Sequence, residues 1–161
     1  RAKAFCSLGH AGESHESVSN LLDWLCWAKP DDFDVTVITI YPGTPIWAER
    51  EAIGTDDRGR TICRYVRHSK KPDVDGATLF FEEVNYEKEW AYYKGIPNQY
   101  VSHVWTPDLS KGDLVRLRDA IEDRARLQLG IPYPKRHSGD QFEHSMGQGV
   151  TMQDSRVLLR P

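Results

Sequence analysis

The chain has 161 residues, of which 39% are hydrophobic and 28% charged, and it contains five Trp, seven Tyr and five Phe. This composition argues against disorder over the whole chain. A net charge of −3 argues against a positively charged surface that would bind nucleic acid. No apolar run approaches the roughly 18–20 residues that cross a bilayer. We therefore expect neither nucleic acid nor a membrane as a partner.

Three cysteines, Cys6, Cys26 and Cys63, are widely spaced and form no C-x-x-C pair. This pattern indicates neither a zinc site nor a disulfide framework, and it favours a reducing, cytoplasmic setting. We expect Cys6 and Cys26 to be buried apolar residues. The chain opens on Arg1 and enters an apolar stretch within a few residues, so we expect it to be cut from a longer protein.

The first 45 residues predict a βαβ unit. Residues 4–9 (AFCSLG) are typical of a short buried strand, and residues 34–41 (DVTVITIY) of a strand rich in β-branched side chains. Between them, apolar residues recur with helical spacing over 15–28, with Ser14 as the expected N-cap. The two strands should therefore be parallel, with a right-handed crossover.

The middle of the chain predicts an antiparallel hairpin. Residues 55–60 (TDDRGR) are expected to form a polar loop. Residues 61–67 and 78–87 are strand-like, and an Asp-Gly turn signal lies between them. Residues 99–105 (QYVSHVW) indicate a further strand.

A second helix is predicted from Ser110, the expected N-cap, to residue 129, with Gly130 ending it. Its apolar stripe consists of Leu114, Leu117, Ile121, Ala125 and Leu129. We expect its opposite face to be solvated, because that face mixes both charges: Arg116, Arg118, Asp119, Glu122, Asp123, Arg124 and Arg126. The tail from 133 to 161 is expected to be extended or flexible.

Two glycine-containing turns, "GHAGES" and "YPGTP", follow the two predicted parallel strands. Open α/β sheets bind their ligands at this edge. Gly9 and Gly12 permit close approach of the backbone to a ligand, and Glu13 would brace the loop or accept a hydrogen bond from the ligand. Each turn also has a purely structural explanation, since glycine and proline are common in tight turns.

The stretch "AFCSLGHAGESHES", a helix, and "PDDFDVTVITIYPGTPIWAE" together resemble the late half of the radical S-adenosylmethionine (SAM) fold, and more closely the subset that often carries a cobalamin-binding domain. The resemblance implies an α/β to α+β fold. Residues 1–54 would be the last βα units of a partial TIM-type barrel. Residues 55–132 would be a C-terminal α+β extension, formed by the antiparallel hairpin and the long amphipathic helix, and 133–161 the tail.

The resemblance also implies that SAM lies across the strand ends. By this resemblance, the adenosyl group would be bordered by Ser7, Leu8 and Gly9. The loop beside it would be shaped by Gly12 and Glu13. Backbone near the adenine edge would come from the remaining cofactor-binding residues, Tyr41, Pro42 and Gly43. Ala11 departs from the pattern, because the family usually has proline there.

The family's C-x-x-x-C-x-x-C motif, which holds a [4Fe-4S] cluster, does not occur in this chain. The cluster would therefore be bound elsewhere in a longer parent enzyme, and we expect this chain alone to be inactive. The implied partners are the rest of the barrel and, through the parent enzyme, a small-molecule or peptide substrate. The sequence leaves the substrate and the use of cobalamin open.

Other interpretations remain. The first is a non-enzymatic α+β binding module built from the hairpin and the C-terminal helix. A small α/β hydrolase or transferase is less favoured, because Ser7 and Ser14 lack a G-x-S-x-G elbow. A metal site in "HSGDQFEH" is also less favoured than a polar tail; its candidate ligands are His137, Asp140, Glu143 and His144.

Overall fold

The computed structural model describes residues 2–72, 74–86, 88–89 and 100–132. This part of the chain is a mixed α+β structure with a two-stranded parallel sheet and a four-stranded antiparallel sheet. The elements in chain order are β1 Lys3–Leu8, α1 His15–Ala28, β2 Asp32–Val37, α2 Pro45–Ala48, β3 Glu51–Thr55, β4 Thr61–Val66, β5 Thr78–Glu82, β6 Val104–Trp105 and α3 Lys111–Leu129.

The predicted βαβ unit is confirmed, because β1 and β2 are parallel and α1 connects them. The register aligns Leu8 with Val37, and the N–H of Ile38 donates to the carbonyl of Leu8 at 2.8 Å. β2 begins at Asp32 and ends at Val37, four residues short of the predicted end. The pairing stops here because β1 itself ends at Leu8, and the next residue, Gly9, has a positive φ of 89°.

Both long helices are capped as the sequence predicts. At α1, the side chain of Ser14 accepts from the N–H of Ser17, and the side chain of Ser17 accepts from the N–H of Ser14. At α3, Ser110 and Asp113 form the same reciprocal pair, and Gly130 ends the helix in the left-handed conformation. Capping of this kind satisfies backbone groups that the first turn of a helix otherwise leaves unpaired.

The antiparallel sheet has the strand order β3-β4-β5-β6, and the pairing of β4 with β5 confirms the predicted hairpin. β3 was not predicted, because all five of its residues are exposed and show no alternation of burial. It ends at Thr55, so the boundary drawn after residue 54 falls inside this strand. Of the strand predicted over 99–105, only Val104 and Trp105 pair with β5.

One hydrophobic core joins the two sheets, α1 and α3. Its fully buried members include Leu25 of α1, Phe33 of β2, Phe81 of β5 and Leu114 of α3. The parallel sheet consists of two strands in the described residues, so there is no closed barrel and the partial TIM-type barrel is not confirmed. No helix in the described ranges is long and apolar enough to span a membrane.

The edge of β2 that faces away from β1 is closed by side chains of α3. Arg126 donates from Nη2 to the carbonyl of Phe33 at 2.7 Å. Glu122 accepts the N–H of Val35 at 2.7 Å, and Arg118 donates from Nε to the carbonyl of Val35 at 2.9 Å. These three side chains therefore satisfy backbone groups that a neighbouring strand would otherwise pair.

The prediction that the charged face of α3 is solvated is therefore wrong for these three residues, which are no more than 7% exposed. Arg118, Glu122 and Arg126 follow one another at intervals of four, so they lie on one stripe of the helix. The stripe is buried because the backbone edge of β2 needs hydrogen-bond partners. Elsewhere on this face, Arg116 and Arg124 are exposed, as expected.

Tyr100 extends the same edge. Its hydroxyl accepts the N–H of Val37 at 2.9 Å and lies 3.1 Å from the carbonyl of Val37, to which it donates. Burial raises the pKa of Tyr100 to about 12. Because the folded protein then holds this proton more tightly than the unfolded chain does, stability should fall as the pH rises from about 10 toward 12.

Tyr100→Phe provides the test of this pH dependence. For wild type, we expect the free energy of unfolding in urea to fall by about 1.4 kcal/mol between pH 9 and pH 11 through this group. The variant should be less stable at pH 9 by about 1–3 kcal/mol, because two backbone groups lose their partner. It should also lose less stability between the two pH values. Equal losses in both proteins would show that another group causes the alkaline sensitivity.

Candidate functional site

The loop after β1 is held in place by one of its own carboxylates. The N–H of Gly9 donates to Oε2 of Glu13, and the hydroxyl of Thr106 donates to the carbonyl of Glu13 at 3.0 Å. Burial raises the pKa of Glu13, although the backbone N–H groups of Gly9 and His10 oppose the shift. Glu13 therefore braces the loop, which is one of the two roles that the sequence analysis allowed.

Both glycines of this loop pack against the antiparallel sheet. A Cβ added at Gly9 would lie 2.8 Å from Cγ2 of Val104 and 3.1 Å from Cγ1 of Val37. One added at Gly12 would lie 3.0 Å from the Cβ of Ala77. Close packing, together with positive φ values of 89° and 85°, thus favours glycine at both positions without a ligand.

The turn after β2 is more open. Gly43 has a φ of 87°, and a Cβ added there would meet no atom within 4 Å in the described part of the chain. Thr44 ends the turn by donating its hydroxyl to the carbonyl of Tyr41 at 2.8 Å, and it caps α2. The ring of Tyr41 lies 5.0 Å from that of Tyr86, so this turn also contacts the residues after β5.

The eight residues assigned to cofactor binding differ in exposure. Leu8 and Gly9 are buried, so their side-chain positions face the protein core. Glu13 and Tyr41 are half-buried, whereas Ser7, Gly12, Pro42 and Gly43 are exposed. Each of the two turn regions therefore contributes two exposed residues to this set.

A cavity of about 160 Å³ lies between the loop after β1, the residues that flank the second turn, and the antiparallel sheet. The loop after β1 contributes to its wall, and so do residues on both sides of the "YPGTP" turn, β4 and β5. Its lining residues are His10, Ala11, Ile38, Ile46, Tyr65, Arg67 and Leu79. None of these was a predicted site residue, because the lining comes from segments distant in sequence.

Three of the lining residues, His10, Tyr65 and Arg67, have polar side chains. Nε2 of His10 lies 2.7 Å from the hydroxyl of Ser7, and burial together with the nearby charge of Arg67 lowers the pKa of His10. The sequence analysis did not predict this Ser–His pair. The sequence feature that could have indicated it is a serine three residues before a histidine, with Gly9 between them. Glu13 is directed at the N–H of Gly9, so it does not complete a catalytic triad with the pair.

The cysteines lie on three different elements: Cys6 on β1, Cys26 on α1 and Cys63 on β4. Cys6 and Cys26 are half-buried, so the expectation of full burial is wrong for both, whereas Cys63 is buried. Burial, together with the carboxylate of Glu83, raises the pKa of Cys63 to about 11. The three thiols therefore do not form a ligand set for an iron–sulfur cluster.

In the described ranges, no three His, Cys, Asp or Glu side chains come together as potential metal ligands. The proposed ligands in "HSGDQFEH" lie outside the described residues. For SAM, the exposed backbone around Gly43 provides an accessible surface, whereas the cavity itself is smaller than the roughly 300 Å³ or more of typical sites for larger ligands. The described residues thus fit at most one wall of a SAM site.

Comparisons of the chain with models of protein families, with curated proteins and with solved structures found no match in any of the three.

Proposed function

We propose that the chain is the C-terminal part of a radical SAM oxidoreductase or methyltransferase. It contributes the last βα units, one wall of the SAM site and a lobe for the substrate or a partner. The observation that carries the proposal is the asymmetry of the parallel sheet. Its β2 edge is closed by side chains of α3, and its β1 edge is paired with no described strand. The loop after β1 and the residues that flank the turn after β2 border one cavity.

The edge of β1 that faces away from β2 supports the proposal that strands of a parent protein continue the sheet there. Because the carbonyl of Leu8 faces β2, the alternation of a strand directs the backbone groups of Ser7 and Phe5 toward the opposite edge. The side chain of Phe5 is 75% exposed. Parallel sheets are normally covered on both faces, so an exposed aromatic on a parallel strand favours a further element of a parent protein packed over this face.

In the proposed enzyme, SAM supplies an adenosyl group that is released by reductive cleavage, and the cluster that provides the electron is held by residues outside this chain. The chain's own residues have binding and positioning roles. Glu13 holds the loop after β1 in one conformation. Of the second turn, the N–H of Gly43 and the carbonyls of Pro42 and Gly43 would be the groups that face the adenine edge, because the carbonyl of Tyr41 already accepts from Thr44 and proline has no N–H. The extension would cover the site.

The test uses the product of the complete reading frame that contains this chain, reconstituted anaerobically with iron and sulfide. We expect a brown protein with charge-transfer absorption that converts SAM to methionine and 5′-deoxyadenosine when a reductant is added. A colourless protein that leaves SAM intact would rule out the proposal.

A matched pair of glycine variants links the activity to this chain. Gly43 and Gly59 both have a positive φ and both lack neighbours within 4 Å in the described residues, but only Gly43 belongs to the proposed site. Gly43→Ala should raise the KM for SAM by about tenfold, because a methyl group and a shifted backbone disturb close contact with the cofactor. Gly59→Ala should leave it unchanged. Equal effects of the two substitutions would argue against a cofactor contact at Gly43.

The non-enzymatic binding module is the second candidate, and one observation favours it. Gly9 and Gly12 are already explained by their packing against Val104 and Ala77, so the loop does not require a cofactor to account for its glycines. An inert full-length protein in the anaerobic assay would make this the better interpretation.

A further inference from the structure

We propose that the cavity between the loop after β1, the residues that flank the second turn, and the antiparallel sheet binds the carboxylate of a small, partly apolar organic acid. Arg67 provides the cation, and His10 and Tyr65 provide hydrogen bonds. The inference names the substrate class of the proposed enzyme, so it rests on the proposed function for the catalytic role of the cavity. The binding of a carboxylate depends only on the residues that line the cavity.

Arg67 follows directly after β4, and its backbone is fixed. Its N–H donates to the carbonyl of Ala77, and its carbonyl accepts from Gly76, each at 2.8 Å, so the hairpin pairing continues through this residue. In the described part of the chain, its guanidinium makes no ion pair, whereas Arg60 and Arg64 on the same hairpin pair with Asp56 and Glu51. A guanidinium at a cavity wall favours binding of a carboxylate, because the two carboxylate oxygens can accept hydrogen bonds from two of its N–H groups at once.

His10 determines the total charge of the site. The hydroxyl of Ser7 orients its ring, and the lowered pKa favours the neutral imidazole near pH 7. Among the described residues of the lining, Arg67 is then the one cationic side chain, because the others besides Tyr65 and His10 are apolar. One positive charge matches a monocarboxylate better than a phosphate dianion, which binds best to several donors or cations.

The size and lining of the cavity restrict the rest of the ligand. A volume of about 160 Å³ corresponds to roughly five water molecules, which is enough for a short-chain acid. Ile38, Ile46 and Leu79 contribute an apolar wall to the same cavity. An acid with a branched aliphatic chain of a few carbons would therefore place its carboxylate near Arg67 and its methyl groups against this wall.

The test is a titration of the isotope-labelled chain, followed by two-dimensional NMR at pH 7.5, with 3-methylbutanoate as the probe. We expect saturable shifts in residues around the cavity, with a dissociation constant of about 1–10 mM. The neutral analogue 3-methylbutanamide and inorganic phosphate should each bind at least about tenfold more weakly. No saturable shift with the acid, or equal binding of either comparison compound, would overturn the proposal.

Two variants assign the binding to the cavity. Arg67→Gln should weaken acid binding at least about tenfold, while Arg64→Gln, which removes an arginine paired with Glu51, should leave it unchanged. Ala11→Leu should also weaken binding, because the larger side chain occupies the cavity. The NMR spectrum of each variant shows whether it is folded, and the comparison of acid with amide in wild type does not depend on any variant.

Two further outcomes separate this inference from the proposed function. S-adenosylhomocysteine, which carries a carboxylate of its own, should not displace 3-methylbutanoate; displacement would assign the carboxylate to the cofactor and overturn the proposal. SAM cleavage by the full-length protein without acid binding by this chain would overturn this inference alone. Acid binding by a protein that leaves SAM intact would support the carboxylate site and overturn the enzymatic role.

Discussion

Glu122→Ala is expected to lower the free energy of unfolding by about 3–5 kcal/mol. Glu122 is 4% exposed. It accepts the N–H of Val35 and also pairs with Nε of Arg126 at 2.7 Å. Its removal would leave a buried backbone donor without its partner and weaken the compensation of a buried guanidinium charge.

Two controls separate the charge from the hydrogen bond, with unfolding in urea as the measurement. Glu122→Gln keeps an acceptor for Val35 but removes the negative charge, so it should be destabilising by less than the alanine variant. Arg124→Ala, at an exposed position on the same helix, should change stability by no more than about 0.5 kcal/mol. If Glu122→Ala behaved like Arg124→Ala, the closure of the β2 edge by α3 would not contribute to stability.

Gly9→Ala is the second large effect, with an expected loss of about 2–4 kcal/mol. An L-residue in the left-handed region costs about 1–2 kcal/mol, and the new methyl group would overlap with Val104 and Val37, which adds the cost of overpacking. Gly43→Ala has a nearly equal φ of 87° but no neighbour within 4 Å in the described residues, so it should show the backbone cost alone. The difference between the two variants measures the packing contribution.

A double-mutant cycle identifies the contact. Val104→Ala removes the methyl group nearest to the new Cβ, so Gly9→Ala/Val104→Ala should be more stable than the sum of the single effects predicts, by about 1 kcal/mol or more. Additive effects would show that Val104 is not the obstacle. The result also bears on function. If packing explains the whole effect of Gly9→Ala, the binding module is supported. If Gly9→Ala instead weakens SAM binding without a loss of stability, the enzyme is supported.

Local patterns predicted the elements whose signals lie within a few neighbouring residues. The N-caps at Ser14 and Ser110, the helix over 15–28 and the β4–β5 hairpin are all confirmed, because caps, helical periodicity and turn residues act over short distances. The parallel pairing of β1 with β2 follows as well, since a strand–helix–strand order leaves few other arrangements. The assignment to radical SAM enzymes remains a prediction.

The sequence by itself thus determined which segments become helices and strands and which glycines allow turns. Only the tertiary structure decided that Arg118, Glu122 and Arg126 are buried, that residues 51–55 form a strand, and that Arg67 lies at a cavity with His10. The physical reason is that a backbone edge, or a cavity wall, obtains its partners from whichever distant residues the fold brings there. A charged stripe on a helix has the same pattern whether it contacts water or the open edge of a strand.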